Sequence, residues 1–269
     1  MRIGTTGNSL FNRNQRSLQS ALMRLSTAQR INTASDDASG LAISEQLSSR
    51  VRGFRTAGRN VQDAMSAMNV SDGAGERVTD ILQRQRELAL QAGNGTLSDR
   101  DREMMDREFQ QLNQEIEEIS QNTEFNTQNV AQGSDLTDGN QEISAGPDGG
   151  DTIAIPEVDF RPETLGMDTA TIATTADAQE ALQSIDAALE QVSDQRSEIG
   201  STINRFSTAI STIQTAETNT TAAESAIRDQ DMARGIAQLT QEQLLSESST
   251  QAFSLFREIS SDHIMNLLQ

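Results

Sequence analysis

Few residues in this sequence could carry chemistry. Its only histidine is His263, and it has neither cysteine nor lysine. Disulfides and thiolate nucleophiles are therefore excluded, and a single histidine near the end of the chain supports no catalytic constellation. The adjacent Asp36-Asp37 could suggest a metal ligand or acid–base work, but no histidine lies near them in sequence. Helix caps, or ion pairs between subunits with the arginine-rich start of the chain, are the better reading. Asp148-Gly149-Gly150-Asp151 has the flavour of a calcium loop without its ligand series, and reads as a solvent turn. Asn69-Val70-Ser71, Asn94-Gly95-Thr96 and Asn219-Thr220-Thr221 fit the glycosylation triplet, a short pattern with little specificity. The sequence thus predicts no catalytic residue, no metal site and no cofactor.

Charge narrows the class further. Forty acidic residues face twenty-one basic ones, all arginine, for a net charge of −19. That balance argues against a nucleic-acid partner. The first 60 residues carry nine Arg and three acids, so the remainder holds the whole acid excess and the two parts can attract each other. Arginine stays charged where lysine begins to titrate, so the absence of lysine fits an alkaline habitat. No apolar run approaches the roughly 20 residues of a membrane span. After Met1-Arg2-Ile3 the chain turns polar, without the apolar stretch of a cleavable secretion signal.

These sparse polar groups must sit on long helices. Hydrophobic residues make up 35% of the chain and aromatics 3%, all Phe, which is too little for a thick layered core. Apolar positions instead recur at alternating steps of three and four. Leu47, Val51, Phe54, Gly58, Val61, Met65 and Met68 form one seam, and Met105, Phe109, Leu112, Ile116 and Ile119 a second. The third runs Leu182, Ile185, Leu189, Val192, Arg196, Ile199, Ile203, Phe206, Ile210 and Ile213, interrupted in character only by Arg196. It would span about 48 Å as a helix. Seams this narrow must pack on one another. Gly73 and Gly75 read as an interruption after the first seam, and Gly93-Asn94-Gly95 as a sharp turn, with Thr96 or Ser98 capping the next helix.

Residues 131–178 differ. All three prolines (Pro147, Pro156, Pro162) lie there, with six glycines and ten acids against Arg161 alone. Gln141-Glu142-Ile143-Ser144 and Thr152-Ile153-Ala154-Ile155 read as strands around a Gly146–Asp151 turn. Both chain ends are amphipathic without a local partner: Phe11, Leu18, Leu22 and Leu25 at the start, Leu245, Phe253, Phe256, Ile259, Ile264 and Leu267 at the end. Such ends are marginal alone. Periodicity leaves open whether they pair with each other or are covered by another copy of the chain. The predicted fold is mainly α: an elongated antiparallel helical bundle or coiled coil with a small β-hairpin insertion and paired terminal helices. Its expected segments are 1–40 and 227–269 (terminal helices), 41–130 and 179–226 (bundle) and 131–178 (hairpin).

The stretch Arg24-Leu25-Ser26-Thr27-Ala28-Gln29-Arg30-Ile31-Asn32-Thr33-Ala34-Ser35-Asp36-Asp37-Ala38-Ser39-Gly40-Leu41-Ala42-Ile43 closely resembles the N-terminal signature of bacterial flagellin. Gln83 to Gln91, Asn122 to Asn126, Ile203-Asn204-Arg205-Phe206 and Asn266-Leu267-Leu268-Gln269 are similar to further flagellin blocks. The resemblance covers about residues 1–130 and 165–269. It implies a non-enzymatic structural subunit of an extracellular filament that assembles with itself and is used for motility. The terminal segments would line the filament core, and the middle of the chain would face solvent. The resemblance also implies partners: the flagellar export apparatus and a chaperone, hook-associated and cap proteins, and export without a cleaved signal. Leu18, Leu22, Leu25, Phe253, Phe256 and Ile264 are the expected self-assembly residues, although Phe253 and Phe256 stand where flagellins usually have smaller side chains. Arg84, Leu88 and Glu108 match positions by which the animal innate immune receptor for flagellin senses such proteins. The alternative is the related hook–filament junction protein. Relatives of that kind tend to have Pro after the Asp-Asp pair, where this chain has Ala38-Ser39-Gly40-Leu41.

Overall fold

The computed structural model describes the backbone of residues 2–133 and 141–267, and the side chains of these except 2–8, 10 and 256–267. Among the described residues the order is α1 (Arg2–Thr27), α2 (Ala38–Ala92), α3 (Asp99–Asn122), β1 (Glu124–Phe125), β2 (Gln128–Asn129), β3 (Glu142–Ser144), β4 (Thr152–Ala154), α4 (Thr175–Arg228) and α5 (Met232–Leu267). Two compact units emerge, one of residues 1–49 with 218–269 and one of residues 50–217.

The larger unit is a three-helix bundle. Within it α4 runs antiparallel to α2, as the pairs Arg86–Asp186, Arg196–Asp72 and Arg55–Glu217 show, each at 2.7–2.9 Å. The second and third seams face inward: Phe109, Ile116, Ile185, Val192, Ile199 and Phe206 are fully buried. The first seam does not stop at Gly73 and Gly75, contrary to the sequence reading. Helix α2 continues unbroken for 55 residues. Its seam continues from Met68 through Ser71, Gly75, Val78, Leu82, Gln85, Ala89 and Ala92, all buried. The periodicity never failed; Ser71, Gly75 and Gln85 hid it by occupying seam positions with small or polar groups. Gly75 is small for a packing reason, since a Cβ there would lie 2.9 Å from Phe160 and 3.0 Å from Arg196 Cγ. That space lets Arg196 occupy the seam and reach Asp72 at the surface.

The α2–α3 turn is closed by side chains. Ser98 caps α3 in a reciprocal box with Asp101. The buried Arg102 guanidinium donates to the Ala92 and Leu97 carbonyls, satisfying the end of α2. After α3, Asn126 and Thr127 both take positive φ, the geometry of a two-residue hairpin turn, and join β1 to β2.

The hairpin expected in residues 131–178 is present as β3 and β4, with Ile143 opposite Ile153. The segment after it is not a solvent-facing excursion. Ile155, Val158, Phe160, Leu165, Met167 and Ile172 are buried in the bundle core. This strap bridges residues 131–133 through backbone bonds at Val158 and Phe160 and otherwise draws on helix side chains for its backbone groups. Asn113 Nδ2 donates to the Met167 carbonyl (2.7 Å), Gln110 Nε2 to that of Ala170 (2.9 Å), and Asp106 accepts from Ile172 N (2.8 Å). On α4, Gln195 both donates to the Asp159 carbonyl and accepts from its N–H. Burial opposes ionisation of Asp159, yet the Arg161 guanidinium and N–H bonds hold its carboxyl below the ordinary value.

In the smaller unit, α1 and α5 pair antiparallel. The Phe11 and Phe253 rings stack with centroids 6.1 Å apart, and Leu25 lies close to Gly235. The ends of the chain thus pair with each other, one of the two arrangements that periodicity left open.

The two helix glycines separate packing from propensity. A Cβ on Gly73 would meet nothing within 4 Å, so Gly73→Ala should stabilise the bundle by about 0.5–1 kcal/mol. Gly75→Ala should destabilise it by a net of about 1–2 kcal/mol through overpacking. Urea midpoints at constant slope measure both; shifts of the same sign would contradict this account of α2.

Candidate functional site

The connector between α1 and α2 is built from the Asp36-Asp37 pair. Ala28 takes a left-handed conformation (φ 55°) and ends α1. Asp36 Oδ2 then accepts from the backbone N–H of Asn32 and Thr33 and from the Thr33 hydroxyl, at 3.0–3.2 Å. Its Oδ1 pairs with Arg24 Nη2 at 2.8 Å. The Arg24 guanidinium first, then the Thr33 amide, hold the Asp36 carboxyl at about 2, below the ordinary 3.8. Asp37 caps α2 by accepting from Gly40 N at 2.9 Å. That amide and the Ser39 hydroxyl lower its pKa as well. Gly40 has no room for a side chain, since a Cβ would sit 2.5 Å from Asp37 Oδ2 and 2.7 Å from Ile31 Cδ1. The carboxylates therefore act as a cap and as an intrachain clamp.

Of the expected assembly residues, Leu18, Leu25 and Phe253 are half-buried in the α1–α5 pair, and Leu22 is exposed. Phe256 and Ile264 lie outside the residues whose side chains are described. The exposed apolar surface is wider than those positions. Met23, Ile43, Met232, Ile236, Leu244, Leu245 and Leu255 join Leu22, so among the residues whose side chains are described, eight of the eleven exposed large hydrophobic ones fall in the smaller unit. The doublets Leu22-Met23 and Leu244-Leu245 carry a readable signal: adjacent apolar residues widen a helical stripe beyond what one partner helix covers.

Charge is divided in the same way. Residues 1–49 with 218–269 hold eight Arg and ten acids, whereas residues 50–217 hold thirteen Arg and thirty acids. The larger unit has an open groove of about 760 Å³ between α2 and α3, lined by Glu76, Asp80, Glu115 and Glu118 among others.

Arg84, Leu88 and Glu108 come together only in part. Arg84 Nη2 pairs with Glu108 across the two helices at 2.8 Å, and Nη1 with Glu87 at 3.0 Å, all half-exposed. Leu88 is buried beneath them in the core, while Leu90 and Met104 are exposed apolar residues on α2 and α3.

Comparison with known proteins bears directly on this arrangement. Residues 5–135 match the bacterial flagellin N-terminal helical region, and residues 182–268 the bacterial flagellin C-terminal helical region. The chain is 39% identical to a flagellin of Halalkalibacterium halodurans over 86% of this chain and 85% of that one.

The chain belongs to the bacterial flagellin family.

It is also 33% identical to the flagellar filament 31.3 kDa core protein of Treponema maltophilum, over 91% of this chain and 90% of that one. Among solved structures, a Bacillus cereus flagellin aligns with a TM-score of 0.52 at 31% identity, covering 62% of this chain and 94% of the other. The two flagellin regions take in the connector, nearly all of the α1–α5 pair, and the bundle helices except the first turns of α4. Residues 136–181, outside both, hold the β3–β4 hairpin and the buried strap.

The Asp36 clamp makes a pH-signed prediction. A depressed carboxyl contributes stability above its unfolded pKa and loses it as pH falls toward about 2. Asp36→Asn should destabilise the smaller unit by about 1–2 kcal/mol at pH 7, allowing for solvent screening. The difference from wild type should shrink steadily below pH 4. Thermal melts of both proteins from pH 7 to pH 2 test this, and a pH-independent difference would contradict it.

Proposed function

We propose that the chain is the repeating structural subunit of an extracellular flagellar filament used for motility, and that it polymerises through its paired terminal helices. The observation that carries this reading is the coincidence, in one unit, of most of the described exposed large apolar residues and near-balanced charge. Copies can bury those residues against each other at little electrostatic cost, while the acidic bundle units are kept apart by like charge. Contacts of this kind are heterologous and need not close, so they propagate into a helix. Covering the termini would couple their ordering to assembly. Leu18, Leu22, Leu25, Phe253, Phe256 and Ile264 are the residues assigned to this contact. The hook–filament junction reading is disfavoured by the names of the relatives, which are flagellins and filament core proteins.

No helix among the described residues is long and apolar enough to cross a membrane. In this reading the chain leaves the cell through the flagellar export apparatus with a chaperone, uncleaved, and meets hook-associated and cap proteins at the filament ends. Recognition by the animal innate immune receptor for flagellin would use Arg84 and Glu108 directly. Leu88, being buried, would act by holding the helix face on which they stand.

Deleting residues 232–269 should leave a soluble, helical protein that forms no filaments at any salt concentration, by negative-stain electron microscopy. Normal filaments from the truncated chain would refute assembly through the terminal pair. For the receptor, Arg84→Ala with Glu108→Ala should lower the response of a receptor-bearing reporter cell by about tenfold or more, the loss of one hot-spot contact. An unchanged response would remove these residues from the recognition surface.

A further inference from the structure

The two connectors of the smaller unit meet one another. Arg30 N–H donates to the Arg228 carbonyl at 2.7 Å, and Gln230 N–H donates to the Ala28 carbonyl at 2.9 Å. These bonds close a single antiparallel bridge between Gln29 and Asp229. Arg30 reinforces it, since its Nη2 donates to the Ile227 carbonyl at 2.6 Å, so one residue satisfies two carbonyls in the last turn of α4. A cation there also complements the helix dipole. The centre of the bridge is fully paired. Its edges are not: Arg24 Nε at the end of α1 and Arg228 Nε at the end of α4 are buried without an acceptor.

Each terminal helix otherwise rests on the other, through Phe11–Phe253, Gln15–Ser246 and the approach of Leu25 to Gly235. Neither connector can leave without breaking both backbone bonds and freeing Arg30. We propose that the 28–30/228–230 bridge is a coupling joint that makes α1 and α5 order and release as one cooperative unit, with Arg30 as its positioning residue. Satisfied donors at the centre and orphaned ones at the edges fit this division: the bridge persists while the helix ends beside it readjust as neighbouring copies cover them. The proposal rests on the filament reading for its role, but the coupling belongs to the single chain.

The test is amide hydrogen exchange on the full-length protein through a urea series, read at amides of α1 such as Leu18, of α5 such as Leu245, and at the Arg30 and Gln230 amides between them. In wild type all of these should lose protection at the same midpoint and with the same slope, as members of one opening unit do. Arg30→Ala should lower protection at both bridge amides together, by about tenfold or more, while exchange in α3 stays unchanged. Arg30→Lys, which keeps the charge but not the planar fork, should recover part of it. Separate midpoints in wild type would overturn the coupling, as would Arg30→Ala leaving Gln230 as protected as before. Should wild type form no filaments by electron microscopy, the filament reading fails, and the exchange midpoints still decide the joint.

Discussion

The larger unit depends on one requirement, that the seam of α2 be covered along its whole length. A stripe of apolar and small residues stepping by three and four from Val51 to Ala92 cannot be left to water. The opposing seam of α4 and the shorter one of α3 lie against it. Where side chains on α2 shrink to Ala or Gly, other parts of the chain move in: Phe160 and the Arg196 stem occupy the space over Gly75, and Pro147 comes within 2.8 Å of where a Cβ of Gly53 would be. The strap between β4 and α4 is thus a consequence of the seam, filling what three helices of small residues leave open.

Burying a strap with little more ladder than its bridge to residues 131–133 imposes a second requirement, that its remaining backbone groups find partners. The helices supply several at helical spacing. Asp106, Gln110 and Asn113 step by four and three along one face of α3, and Gln195 serves the same purpose on α4. Ser71, on the seam itself, donates to the Val130 carbonyl at 2.7 Å. Polar residues at buried positions are therefore part of the packing here, and each is matched to a particular carbonyl or amide.

This explains which parts of the fold were legible in the sequence. The helices, their antiparallel pairing, the Ser98 cap and the hairpin all announce themselves locally, through period, capping residue or turn chemistry. Ser71, Gly75 and Gln85 do not, because a residue that is small or polar for the benefit of a distant segment looks like a break in the pattern. The burial of the strap was equally hidden, since its apolar residues follow neither period and their partners lie on α3 and α4. For the Asp36-Asp37 pair, sequence reasoning named the cap and an ion pair with the arginine-rich start, but placed that pair between subunits, whereas Arg24 and Asp36 clamp each other within one chain. The acceptor geometry at Asp36 comes from a left-handed turn at Ala28 that no glycine marks. Leu88 shows the limit of reasoning from a shared helix face: its four-residue offset from Arg84 places the two one turn apart, but Leu88 is buried where Arg84 is half-exposed.

The two units answer the same problem, a narrow apolar seam, in opposite ways. In the bundle every seam position is at least half-buried within the chain, and the outer faces carry the acid excess that keeps like molecules apart. In the smaller unit α1 and α5 cover one another, while apolar residues flanking their seam, such as Met23 and Leu244, remain exposed. A surface of this kind costs little in a charged chain only if the charge is elsewhere, and the arithmetic of the two units satisfies that condition. Arginine as the sole basic side chain extends it over pH. Without Lys, Tyr or Cys, no side chain titrates between the range of His263 and that of arginine. The balance of attraction and repulsion between copies is therefore fixed from neutral to strongly alkaline water, which is where a lysine-built counterpart would drift toward still greater negative charge.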